Sequence, residues 1–258
     1  MLKKMKELYN YREFMKTTVK KEFRGKYKKS FLGVLWSFIS PLLQLLVYAL
    51  VFPFLLKDQP DNYIMFIFPT LIAWNFFQLS VAQSTSVIIG NGGIIKKVYF
   101  PREILPISIV TSGGINFLIS CIIICIALII SGLGFSKYIL LIPIILFLQC
   151  IITLAISFLL SSITVYLRDV EYFINVLLML WMYLTPVLYG PEMIPVRYKA
   201  LFNLNPMLHI VNAYRDIFYN KTMPNMNYIG ILFVIGIIFL VLCYYIFKKL
   251  EKRFAEEL

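Results

Sequence analysis

An all-α integral membrane protein is the fold class this sequence predicts, and three observations predict it. Hydrophobic residues fill 60% of the 258 positions and charged residues only 15%, where a soluble domain carries roughly 45–50% and ~25%. Six long runs contain no Asp, Glu, Lys or Arg: 30–56, 62–95, 104–136, 138–167, 172–191 and 222–247. A bilayer core takes ~20 such residues as helix. These runs are apolar at consecutive positions, as over 121–130, rather than alternating. That suits helices that close their backbone bonds within one segment, and not a barrel.

Taken in order, residues 1–29 predict an amphipathic helix on the cytoplasmic membrane surface. Met15, Val19, Phe23 and Tyr27 recur every four residues, Leu2, Met5 and Leu8 extend the stripe, and basic residues fill the other faces. These 29 residues contain no apolar core of a signal peptide, so no cleavable leader is expected. Six transmembrane spans follow at 33–56, 63–89, 104–130, 138–165, 172–189 and 228–247, all within one transmembrane domain, 1–258. Pro41 and Pro53 predict kinks in the first. The seventh charge-free run, 200–214, is too short to cross and holds Asn203, Asn205, Pro206 and Asn212. Irregular apolar backbone survives at membrane depth only inside protein or along a cavity. The external region 190–227 is therefore expected to carry re-entrant helices.

Six spans put both termini on one side. That side, with residues 1–32, the 90–103 and 166–171 loops and the tail, carries 19 Lys and Arg; the other carries 6. The positive-inside rule makes it the cytoplasmic side of a multi-pass plasma-membrane protein. The excess of +12 borders membrane spans, so anionic membrane lipids, and no nucleic acid, are its expected partner.

The chemistry is sparse. No G-x-x-x-x-G-K-[ST] occurs, so this chain is expected to bind no ATP by a P-loop. No acidic residue falls within a span, which disfavours a proton-driven carrier. Cys121, Cys125, Cys150 and Cys243 lie inside spans and read as packing residues; no metal site and no catalytic constellation are expected. Asn75, Gln78, Gln83, Asn116, Gln149 and Asn175 either bond neighbouring helices or line a path. Tyr48, Trp74, Phe77, Trp181, Tyr183 and Tyr189 belong either to core and interfacial belts or to a pathway lining. Arg24, Lys26, Lys28 and Lys29 either anchor the chain to the leaflet or receive a phosphorylated lipid head.

Several motifs resemble one family. Residues 24–37, Arg-Gly-Lys-Tyr-Lys-Lys-Ser-Phe-Leu-Gly-Val-Leu-Trp-Ser, followed by Pro41, are similar to the start of the first span in permease subunits of type 2 ABC exporters for polysaccharides, the O-antigen, capsule and teichoic-acid exporters. Val-Tyr-Phe-Pro-Arg-Glu-Ile-Leu-Pro at 98–106 resembles their first coupling segment. Leu-Arg-Asp-Val at 167–170 and Leu-Thr-Pro-Val-Leu-Tyr at 184–189 resemble the turn before the fifth span and its outer end. Leu-Asn-Pro at 204–206 with Tyr214 and Arg215 resembles the external gate. The resemblance covers residues 20–220.

It implies a homodimeric permease, paired with two copies of a separate ATPase that uses ATP and Mg. The cargo would be a glycan on a polyprenyl pyrophosphate carrier. Coupling would fall to Lys96, Lys97, Tyr99, Phe100, Pro101, Arg102, Glu103, Arg168, Asp169 and Glu171, with Glu103, Asp169 and Glu171 pairing with basic groups of the ATPase. The external gate would comprise Asn205, Pro206, His209, Tyr214 and Arg215. Other readings stay open: a permease for a drug or small lipid, a polyprenyl-linked sugar-processing membrane enzyme, and an assembly subunit.

Overall fold

A computed structural model of the chain describes residues 9–25, 35–55 and 60–258. It is all-helical, with no strand among the described residues. Helix α1 spans Arg12–Gly25, α2 Trp36–Leu55, α3 Tyr63–Gly90, the single turn α4 Gly92–Ile95, and α5 Ile104–Ile130. A 3₁₀ turn, Lys137–Leu141, leads into α6, Ile142–Thr164, and α7 follows at Val170–Tyr183. Short elements then include α8, Lys199–Asn203, and α9, Pro206–Arg215, which runs on into a π turn at Asp216–Asn220. The long α10, Met226–Leu250, is followed by the turn α11, Phe254–Glu257.

Four segments among the described residues are long and apolar enough to cross a bilayer: Tyr63–Gly90, Ile104–Ile130, Lys137–Tyr166 and Met226–Glu257. Two further apolar helical stretches are shorter, Ile39–Phe52 within α2, and α7. The architecture is that of a multi-pass membrane protein.

α3 is the axis of the bundle, with α2, α5, α6, α7 and α9 packed around it. Gly113 of α5 makes the closest approach possible: a Cβ there would meet the Phe76 ring at 2.9 Å. α10 packs chiefly on α6, where Gly236 faces Ile151 and Ile152. α1 lies against α5, with Phe14, Met15, Thr18, Val19 and Phe23 on its inner face. That face contains three of the residues of the sequence stripe; Leu2, Met5, Leu8 and Tyr27 lie outside the described residues. The apolar face of α1 thus rests partly on protein.

The limits of α3 and α5 match the sequence expectation to within one residue. The fifth segment does not: α7 ends at Tyr183, six residues before the expected 189. Pro186 explains the stop, because it donates no backbone bond and forces the preceding residue out of the helical region. Fourteen residues of helix rise only about 21 Å. Beyond it, residues 185–188 are buried yet not helical.

Candidate functional site

Three regions hold the residues singled out by the sequence. The first is the α1 end of the bundle. Here the 91–103 connection is gripped from two sides. Phe100 is buried against Phe14 of α1 at 4.9 Å between ring centroids, and Lys21 of α1 donates to Asn91 Oδ1 at 3.4 Å. On the other side Glu103, only 2% exposed, accepts from Lys248 Nζ at 2.5 Å and from the Tyr244 hydroxyl at 3.3 Å. Lys248 also reaches Glu251 at 2.6 Å. Arg102 donates to the Glu251 carbonyl. Pro101 is buried, whereas Lys96, Lys97, Val98 and Tyr99 face outward. In the 166–171 turn Arg168 and Asp169 are exposed and Glu171 is half-buried. Glu103 therefore already has its basic partner within the chain, while Asp169 projects outward.

The second region lies at the opposite end, where the non-helical backbone after α7 has its carbonyls served by side chains. Buried Arg215 donates through Nη2 to Pro186 O at 2.6 Å, Val187 O at 3.2 Å and Tyr189 O at 3.3 Å. Its Nη1 reaches Asn212 Oδ1 at 2.9 Å, and its guanidinium lies 4.1 Å from the Phe66 ring centroid. Thr70 and Tyr63 of α3 donate to Val187 O and Leu188 O, both at 2.8 Å. Asn205 donates to Leu184 O and to Thr185 Oγ1, accepts from Trp181 Nε1 at 2.9 Å, and caps α9 by accepting from Met207 N at 3.0 Å. Pro206 takes the first position of α9, where no amide donor is needed. Burial brings the Arg215 pKa down to about 10, opposed chiefly by Glu192 and Asp216, so it is cationic at neutral pH. Burial raises the Asp216 carboxyl, partly offset by the Asn220 amide and Arg215. His209 bonds Asn203 O at 2.9 Å and stacks on Tyr228 at 4.7 Å. Tyr214 is fully enclosed against Phe117.

The third region is a groove of about 430 Å³ between α2, α3 and α5. Its polar wall consists of Gln44, Asn75, Gln78, Gln83 and Asn116 with Ser40, Ser80 and Ser120. Asn75 Nδ2 donates to Gln44 Oε1 at 2.9 Å, and Gln44 Nε2 donates to the Tyr48 hydroxyl at 3.2 Å, so Tyr48 ends this amide chain. Trp74 Nε1 donates to Gln78 Oε1 at 2.8 Å. Trp74 and Phe77 themselves are fully buried, packed on one another, and Phe77 packs edge-on to Trp181. Neither ring is open to a passing chain. Tyr183 is exposed, and half-buried Tyr189 donates to its carbonyl at 2.8 Å. Gln149 holds Ala73 O at 2.7 Å, and exposed Asn175 bonds its own helix, so neither joins the groove. Lys26, Lys28, Lys29 and the side chain of Arg24 lie outside the described residues. Among the described residues, no cluster of His, Cys, Asp and Glu is arranged to hold a metal.

Residues 13–219 match the family model described as ABC-2 type transporter. The chain belongs to the ABC-2 type transporter family. It is a transport membrane subunit rather than an enzyme. Among its curated relatives are two proteins of Klebsiella pneumoniae named O-antigen export system permease protein RfbA, 37% and 36% identical over 92% of this chain and 91% of theirs. A protein of the same name from Myxococcus xanthus is 32% identical over the full length of both.

For this ABC-2 protein, sequence reasoning missed the partners more than the positions. Lys248 and Tyr244, which hold Glu103, lie 145 and 141 residues away from it in sequence, with no local signal to link them. Thr70 and Tyr63 looked like ordinary span residues. Gln44 had a findable signal: it stands four residues before Tyr48, one helical turn on the same face.

Proposed function

We propose that this chain is the membrane-spanning subunit of an ATP-driven exporter that moves a polyprenyl-pyrophosphate-linked polysaccharide from the cytoplasmic to the outer face of a bacterial inner membrane. The observation that carries this reading is the amide-lined groove within an otherwise apolar bundle. Asn and Gln both donate and accept hydrogen bonds, so they can pair with sugar hydroxyls without an ionised group. Among the described residues no Asp or Glu lines that groove, which fits a neutral glycan better than an ion or proton. The names of the relatives from two organisms point to the same cargo.

The rest of the proposal follows the family. Two copies of the chain pair to enclose the path, with α2, α3 and α5 contributing the groove and Tyr48 its outer end. Two copies of a separate ATPase bind ATP and Mg on the side richer in Lys and Arg, which is cytoplasmic by the positive-inside rule and carries both termini. Lys96, Lys97, Tyr99, Arg168 and Asp169 present the docking face. Phe100, Pro101, Arg102 and Glu103 hold it in place, and Glu171 lies in the first turn of α7 behind it. Arg24, Lys26, Lys28 and Lys29 receive the pyrophosphate head. Six spans result when α2 and α7 cross together with the four long segments, α7 being completed by residues 184–190. Asn205, Pro206, His209, Tyr214 and Arg215 then form a re-entrant gate. The support for re-entry is depth: Asn205 holds Trp181, which packs on Phe77, halfway along α3.

The test is export of the lipid-linked glycan by a strain carrying Gln83→Leu with Asn116→Leu. Surface glycan should fall at least tenfold while the protein and its bound ATPase stay at wild-type amounts. Undiminished export would overturn the groove as the path.

A further inference from the structure

Two connections meet at the α1 end of the bundle, 91–103 and 166–171, and the segment Lys248–Leu258 touches both. On the first connection Lys248 pairs with Glu103, Arg102 donates to the Glu251 carbonyl, and a Cβ at Gly92 would meet the Leu258 side chain at 3.6 Å. On the second, the Tyr166 hydroxyl donates to Leu250 O at 2.8 Å, and its ring lies 6.3 Å from that of Phe254. Phe254 is fully buried between the two, under Phe247 at 5.7 Å, with the Arg102 guanidinium 5.8 Å from its ring centroid. Val87, Ile95, Phe100, Val165 and Phe247 share one apolar cluster with it.

We infer that Lys248–Leu258 is a clasp that locks the two connections into one rigid body, with Lys248 and Phe254 as its positioning residues. The physical case rests on sequence distance. The connections lie about seventy residues apart and each is short, so neither fixes the other through the chain. The Glu103–Lys248–Glu251 pairs are mostly out of water, where breaking one partner leaves an uncompensated charge at a cost of roughly a hundredfold or more in local stability, whereas replacing the whole set by uncharged groups is close to neutral. An aromatic plug with a buried ion pair beside it resists shear in both directions. A push delivered to Tyr99 or Arg168 therefore moves both connections together. The consequence for transport rests on the ATPase-coupling reading above: without the clasp, the ATPase turns over while the two connections move independently and export per ATP falls.

The test separates the clasp from that reading. Full-length Phe254→Ala, Lys248→Met and the triple variant Glu103→Gln, Lys248→Met, Glu251→Gln are each purified in nanodiscs, and amide hydrogen exchange is followed along the chain. Exchange over both 94–103 and 166–171 should rise at least tenfold in Phe254→Ala, with α3 unchanged. The triple variant, which removes Glu103, Lys248 and Glu251 as charges together and so leaves none of the three unpaired, should fold as wild type and still loosen both connections. No rise in either connection overturns the clasp, and a rise in 94–103 alone overturns the claim that it joins the two. Phe254→Ala and Lys248→Met are then assembled with the ATPase of the exporter. Co-purification should stay within twofold of wild type and glycan exported per ATP hydrolysed should drop at least fivefold. Loosened connections with an unchanged export ratio overturn the positioning role. A wild-type complex that exports no glycan overturns the function proposed above, and the exchange measurement still decides the clasp.

Discussion

α3 and α10 are both long enough to cross a bilayer, yet they are built on opposite plans. The most apolar stretch of α3 is 78% buried and that of α10 only 17%, although α3 is the less apolar of the two. In water the order would be reversed. Here the solvent is hydrocarbon, so apolar side chains need no shelter, and Asn, Gln, Ser and Thr are drawn inward to find partners. α3 buries Thr70, Ser80 and Ser84 and turns Asn75, Gln78 and Gln83 to the groove; α10 shows Ile231, Val234, Ile235, Ile238 and Leu242 outward. Burial in this protein therefore follows polarity, and the helix with the weaker hydropathy is the one that organises the fold.

Substitutions sharpen the contrast, the largest effect lying where α3 meets α9. Arg215→Met strips Pro186, Val187 and Tyr189 carbonyls of their shared donor beside Phe66. It should cost at least about 3 kcal/mol, since hydrogen bonds from a charged donor are worth roughly 1.5–3 kcal/mol each; the fall in thermal midpoint in nanodiscs reads it. An unchanged midpoint would mean that the buried backbone finds its donors elsewhere. Next comes Gly113→Ala at the α3–α5 contact, where the new methyl meets Phe76 at 2.9 Å. Overpacking of this kind costs about 1–3 kcal/mol. The same change at Gly230 of α10 meets nothing within 4 Å and should gain up to ~1 kcal/mol from helix propensity. Denaturant titration of the pair checks whether the two signs differ.

Gln149→Leu removes a donor to Ala73 O on α3 and should cost about 1 kcal/mol, seen as a small shift of the same midpoint. The smallest effect belongs to Ile238→Ala on α10. Its side chain faces outward, and such changes fall within about 0.5 kcal/mol. A loss above ~2 kcal/mol at Ile238 would show that α10 is covered, by a second copy or another subunit, and would break the comparison.

The contrast also explains what the sequence revealed. The ends of α3 and α5 were legible because a charge or a turn stands at each: Asp61 and Asn62 before α3, Glu103 before α5, and Gly132 and Gly134 after it, both at φ near +70° where a side chain would be strained. The inner and outer faces of the helices were not legible, because in a membrane both are apolar. Trp74 and Phe77 illustrate this: an aromatic residue in a span reads alike whether it lines a path or fills a core. Residues 184–189 were counted into a span because hydropathy weighs side chains and ignores the backbone break that Pro186 enforces. Glu103 was recognisable as a charge at a helix start, yet its partner is a lysine at the far end of the chain.

Residues 184–190 have a mechanical consequence. A helix resists opening as a unit, since its bonds form in register and the first turn is the hardest to make. The carbonyls here are instead held by side chains: Asn205 holds 184, Arg215 holds 186, 187 and 189, Thr70 also holds 187, and Tyr63 holds 188. Each such bond is worth about 1–3 kcal/mol and can be released without unwinding its neighbours. This stretch is a laced seam with one master stitch: withdrawal of Arg215 frees 186 and 189 together and leaves 187 to Thr70 alone.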